Sequence, residues 1–315
     1  MDLKLRKEWP QPRAGQQGGE VPGAQAGPPD AHLQINARPV RHYGQWIAAV
    51  VITALIVMLA IAVYQNPYID HGVIGQFLFA HLILAGLRVT IELTIISMAI
   101  GIVIGVVLGL FRQTSNVVLQ KFAVLYIWAF RGTPLIVQIL LWGNFGLLFR
   151  NLDLGIPFTH LIAFSVKTNS VVTVFVASIL ALALNEGAYM AEVVRGGILA
   201  VDRGQMDAAM SLGMTHGRAM RRIVIPQAIR VIIPPTGNEL INLLKASALV
   251  SVIAGGDLLT VAEEIYSQNY RTLELLIVAS LWYIAVVTVA NIGQHYLEKR
   301  YRRSEADYLQ KTHRA

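Results

Sequence analysis

Six stretches of this chain are too long and too apolar to be the buried elements of a water-soluble fold. The first, Trp46–Tyr64, runs 19 residues without a charge. At about 1.5 Å per residue that is roughly 28 Å of helix, close to the thickness of a bilayer's hydrocarbon core. Five more follow at about 89–111, 122–149, 171–194, 232–254 and 275–292, and 122–149 is broken by Arg131-Gly132-Thr133-Pro134, where proline removes a donor and glycine loosens the helix. Only 14% of the residues are charged and 55% are hydrophobic, against roughly a quarter charged in an ordinary globular chain. The expectation is an all-α integral membrane protein with six spanning helices.

A cleaved leader is the rival reading of 46–64, because Ala60-Ile61-Ala62 has the small residues of a cleavage site. The 45 residues before the run are long for a leader's basic segment. The run itself exceeds the apolar stretch of about 7–15 residues that leaders carry. The helix is therefore expected to be retained. Residues 1–45 are rich in Gly, Pro, Gln and Ala between Pro10 and Pro29 and are expected to form a disordered cytoplasmic tail. A second, basic tail is expected over 296–315.

A net charge of +7 would suggest nucleic acid in a soluble protein; here its distribution reports topology instead, and no nucleic-acid partner is expected. With the N-terminus inside, segments 1–45, 112–121, 195–230 and 298–315 hold 20 of the 26 lysines and arginines, and the segments between them on the other side hold three. This positive-inside bias places both termini in the cytoplasm. With no cysteine there is no disulfide framework and no thiolate metal site. No paired-histidine metal spacing, nucleophile elbow or phosphate-binding loop occurs, so no catalytic or metal residue is assigned.

Segment 195–230, between the fourth and fifth helices, carries the most information. Met206–Leu212 suits about two helical turns, with small Ala208 and Ala209 leaving the backbone bare on one side. Gly213 suits the stop of that helix, where a left-handed backbone angle is needed. Arg218, Arg221 and Arg222 would follow on a basic helix ended near Pro226. Two readings stand on physics alone: a short helix that inserts into a groove on another protein, or a plain connector.

The order of these residues resembles the EAA loop of ABC-importer permeases. Asp207-Ala208-Ala209, then Gly213, Ile223 and Ile225-Pro226 fall at the family's spacing, with Asp for Glu and Ile for Leu. Arg131-Gly132-Thr133-Pro134-Leu135 with Gln138, Ala188-Tyr189, Ala191-Glu192, Arg195-Gly196-Gly197, Gly204-Gln205, Pro226-Gln227-Ala228 and Lys245 resemble the branch that carries polar amino acids. The resemblance covers about 85–295 and implies the type-1 importer permease fold, a five-helix core to which 46–64 adds one extra helix. It implies that Gly204, Gln205, Asp207, Ala208, Ala209, Gly213, Ile223 and Pro226 couple the chain to an ATPase. Its partners would be an ATPase subunit dimer carrying ATP and Mg, a second permease subunit (the same or a related chain) and an extracytoplasmic solute-binding protein. The chain itself would bind no cofactor, sit in the inner membrane among its lipids, and catalyse nothing.

Ionisable and amide side chains inside a spanning helix usually face a cavity or a partner. Asn185, Tyr189, Glu192 and Gly196 share one face of the fourth helix, and Asn238, Asn242 and Lys245 share one face of the fifth. Asn185, Glu192, Asn238, Asn242 and Lys245 are therefore candidates for a substrate path. The competing reading of Glu192 is a pair with Arg195, three residues on; Lys245 could also pair with Glu186 or Glu192. Gly101, Gly105 and Gly109 at four-residue spacing mark a close helix contact rather than a site. The expected function is import of a polar amino acid by alternating access. The rivals are the same machine for another small organic solute such as an opine, an ATP-independent channel or carrier, which should show internal repeats, and a membrane scaffold.

Overall fold

The computed structural model describes residues 43–155 and 162–312; the expected tail before Tyr43 lies outside them. The chain divides into two units after Gln65. The first contains α1 (Tyr43–Tyr64), apolar on every side, as a helix surrounded by lipid must be.

The second unit starts with a helix where a connector was expected. Asp70 caps α2 (His71–Leu78) by accepting from the backbone N–H groups of Gly72 and Val73 at 2.9 and 3.3 Å. Val73, Ile74, Phe77 and Leu78 of α2 pack on a core of Ile83, Leu87, Leu258, Leu275 and Val278. Next, α3 (His81–Phe111) starts a little over two turns before the expected 89, with Arg88 and Glu92 paired at 2.7 Å on its exposed side.

The run 122–149 is broken at the expected Arg131-Gly132-Thr133-Pro134 interruption. α4 (Val117–Gly132) and α5 (Leu135–Gly143) meet at 98° across Thr133-Pro134, since proline offers no N–H to continue the ladder. A single turn, α6 (Phe145–Leu148), leads into a two-stranded antiparallel hairpin that departs from the all-helical expectation. Its strands are β1 (Asn151–Gly155) and β2 (Ile162–Lys167), with Asn151 opposite Lys167 and Leu152 opposite Val166. Another single turn, α7 (Thr168–Val171), follows.

The hub of the bundle is α8 (Val174–Leu199), against which α3, α4, α5 and α11 (Ile225–Ala246) all pack. The glycine stripe of α3 makes this possible. A side chain on Gly101 would come within 2.8 Å of Glu186 Cγ, one on Gly105 would overlap Met190, and one on Gly109 would come within 2.7 Å of Val194 Cγ1. Leu93, Met98, Ile139, Leu182, Met190, Leu243 and Val250 complete the main core.

Between α8 and α11 lie α9 (Arg203–Ser211), the single turn α10 (His216–Ala219) and a π-helical turn over Met220–Val224. Pro226 does not end this run. It stands in the first turn of α11, directly after the π-turn, where the hydrogen-bond ladder changes register. Pro234 and Pro235 likewise lie within α11 rather than at its start, and Gln294 donates to the Pro234 carbonyl at 2.7 Å. The helix tightens to 3₁₀ over Ser247–Ile253 and turns through left-handed Ala254 and Gly256. It then resumes as α12 (Leu258–Asn269), capped by Asp257, in what was expected to be a loop. The last helix, α13 (Thr272–Thr312), continues through the segment expected as a basic tail. Among the described residues four helices are long and apolar enough to cross a bilayer, and six spans result when each bent pair counts as one.

Candidate functional site

The loop helix α9 is held at both ends by its own sequence. Asp202 accepts from the Gly204 N–H at 2.6 Å, and a side chain on Gly204 would crowd that carboxylate at 2.9 Å. At the other end Gly213 takes φ +80°. Its N–H donates to Met210 and that of Met214 to Ala209, at 2.9 and 3.1 Å, closing the last turn in the Schellman manner. Gly204, Gln205, Asp207, Ala208 and Gly213 are exposed, Ile223 is half-buried and Pro226 exposed.

Ala208 and Ala209 do not share a bare face. Ala209 is buried, on the side of α9 that packs against α10 and the π-turn, where Met206, three residues before it, joins Met220, Val224 and Ile198. Its small side chain serves that internal contact. The exposed apolar side chains here are Ala208, Met210 and Leu212, and Leu212 is 85% exposed. The exposure of Leu212 was not legible because nothing in its local pattern separates it from a core leucine.

The five path candidates split into two groups. Asn185 is buried and donates to the Phe130 carbonyl at 3.0 Å and to Gln138 Oε1 at 3.2 Å. Gln138 in turn donates to the Phe130 carbonyl at 2.9 Å and to Thr133 Oγ1 at 2.8 Å. These two amides satisfy the backbone that the α4–α5 break leaves without helical partners. Glu192 pairs with Arg195 at 2.7 Å and with Arg112 at 3.3 Å, so the pairing alternative describes it. Near the same break the Arg131 guanidinium stands over the Tyr189 ring, 5.0 Å from its centroid.

Asn238, Asn242 and Lys245 differ from these. All three are exposed on one side of α11, while Ile241, Leu243 and Leu244 are buried on the others. Lys245 forms no ion pair among the described residues; neither Glu186 nor Glu192 reaches it. Glu186 instead lies buried against Gly101, with its Oε1 lacking a hydrogen-bond partner among the described residues. Residues 101–303 match the family of binding-protein-dependent transport system inner membrane components. The arginine transport system permease protein of Corynebacterium glutamicum is 40% identical over 91% of this chain and 89% of its own length. An arginine transport system permease protein of Bacillus subtilis is 34% identical over 67% of this chain and 89% of its own. A crystal structure of an amino acid ABC transporter with histidines superposes at a TM-score of 0.60 with 40% identity, covering 70% of this chain and 94% of that one. The chain belongs to the binding-protein-dependent transport family, as a membrane-embedded permease subunit of an ABC importer with the type-1 permease fold.

Proposed function

We propose that this permease carries a polar amino acid inward by alternating access, powered by ATP hydrolysed on a separate ATPase dimer that docks on α9. The relatives' names, arginine transport among them, support an amino acid as cargo. A second permease subunit completes the path, and a solute-binding protein delivers the cargo on the outer side. Both termini lie in the cytoplasm, and the chain itself performs no catalysis and binds no cofactor. Asn238, Asn242 and Lys245 line the path; Asn185 and Glu192 shape it by fixing the α4–α5 break and the inner end of α8.

The observation that carries the docking reading is the form of α9, a capped helix pinned between two spanning helices with Ala208 and Leu212 turned outward. ATP-driven closure of the ATPase pair would push on this helix and move α8 and α11 with it. The test is Leu212→Asp. A charge buried in a docking groove should cost more than about 2 kcal/mol of association, so the ATPase should no longer co-purify and transport should cease. The permease itself should accumulate normally, because this side chain touches nothing inside it. Normal ATPase recovery and transport in that variant would reject the docking role.

A further inference from the structure

Helix α11 is built into two different cores. In its first half, Ala228 and Ile232 pack with Val194, Ile198 and Met206, the cluster that seats α9. In its second half, Leu240 and Leu243 pack in the main core with Leu93, Met98 and Leu182. Asn238, Asn242 and Lys245, the residues assigned above to the path, all belong to that second half. Along α11 the two halves meet between Ile232 and Asn238.

The junction reads Ile233-Pro234-Pro235-Thr236-Gly237. Pro234 and Pro235 have no N–H, so the Arg230 and Val231 carbonyls lose their helical donors. The Thr236 hydroxyl donates back to the Ile232 carbonyl at 2.8 Å, a bond that bends helices. Gly237 leaves a gap in the next turn, and a side chain there would overlap Oε1 of Gln294 from α13. Gln294 fills that gap and is buried. Its Nε2 donates to the Pro234 carbonyl at 2.7 Å and to Glu298 Oε1, one turn on in α13, at 2.8 Å. Both N–H groups of the amide are thus committed, one to the break and one to its own helix. A plain spanning helix needs neither tandem proline, which weakens it, nor a buried amide from its neighbour.

We propose that Pro234-Pro235 is a joint that passes motion between α9 and the path, and that Gln294 is the positioning residue that sets its angle. The joint rests on the docking of the ATPase at α9. With two successive ladder bonds missing, the first half can tilt with α9 while the second turns Asn238, Asn242 and Lys245. The Gln294 amide ties the turn at the break to α13, so the tilt arrives at the path as a defined rotation.

The experiment uses the whole transporter in proteoliposomes together with its solute-binding protein. It reads ATP hydrolysis with and without that protein, uptake of a labelled amino-acid mixture, and the unfolding temperature. P234A/P235A restores both N–H donors and should raise the unfolding temperature. Gln294→Leu leaves the Pro234 carbonyl and Glu298 without this donor and should lower it. Both variants should keep basal hydrolysis within about twofold, lose stimulation by the binding protein, and take up about tenfold less per ATP. Opposite effects on stability with one effect on coupling separate a joint from a packing contact. Gln294→Lys, which can donate to both acceptors, should restore most of the stimulation. Full stimulation in P234A/P235A or in Gln294→Leu would overturn the proposal, as would a lysine variant no better than leucine. Failure of the docking reading looks different, because the Leu212→Asp complex would then keep its ATPase. No uptake by the native complex would reject the amino-acid cargo alone, and the hydrolysis rates would still decide the joint.

Discussion

The helices α8 and α11 both carry amide and ionisable side chains through an apolar span, yet they use them in opposite ways. On α8, Asn185 is tied to the α4–α5 break and Glu192 to two arginines. On α11, Asn238, Asn242 and Lys245 are exposed along one face with no ion pair for the lysine among the described residues. A lysine in hydrocarbon costs about 2.5–3.5 kcal/mol on insertion scales, so the α11 face is suited to water or a partner rather than lipid. Polarity in a spanning helix thus marks a structural clamp where partners are within reach and an open surface where they are not.

If α8 is sealed and α11 open, added bulk or lost polarity should act on folding at the first and on transport at the second. The largest loss of stability should come from Gly105→Leu, which drives a branched side chain into Met190 at the centre of the α3–α8 contact. Overpacking there should cost about 3 kcal/mol, and the permease should fail to accumulate in membranes. Normal accumulation would show that the α8 interior is looser than its geometry implies. Next comes Asn185→Leu, which keeps the branched shape and removes both hydrogen bonds to the break. With Gln138 left partly unsatisfied in a buried site, the loss should be about 2 kcal/mol, read as a lower unfolding temperature in detergent. An unchanged temperature would make Asn185 a path residue after all.

What was legible in the sequence follows from how local each determinant is. The Gly213 stop and the glycine stripe on α3 were readable because each depends on one backbone angle or one repeat, and both appear as expected. The two polar stripes looked alike, since helical periodicity alone places both on single faces. What separates them is contact over long sequence distances: Asn185 meets Phe130 and Gln138 across 55 and 47 positions. Ala209 was misplaced for the same reason, its burial being set by packing on α10 and the π-turn. Helix α12 went unread because Glu263 and Glu264 interrupt the hydrophobic signal that marks a span. The short hairpin was hidden because each strand has at most six residues, too few for its alternation to stand out. Pro226 looked like a stop because its meaning depends on where a helix begins, and the π-turn before it sets that register.

The smallest change in stability should come from Lys245→Met, and it gives the sharpest test of the contrast. Methionine is close to lysine in length and removes the charge from an exposed position that makes no ion pair among the described residues. The permease should therefore fold within about 0.5 kcal/mol of the native chain and keep its ATPase. Transport should nevertheless fall at least about tenfold, because a charged hydrogen bond to the carboxylate that every amino acid carries contributes about 1.5–3 kcal/mol. Uptake of labelled amino acid into proteoliposomes, measured beside the unfolding temperature, separates the outcomes. Stability and transport lost together would make Lys245 a clamp, and α11 would then resemble α8. Both unchanged would leave a lysine that reaches the interface without touching cargo, and the open face of α11 would be a surface with no part in the path.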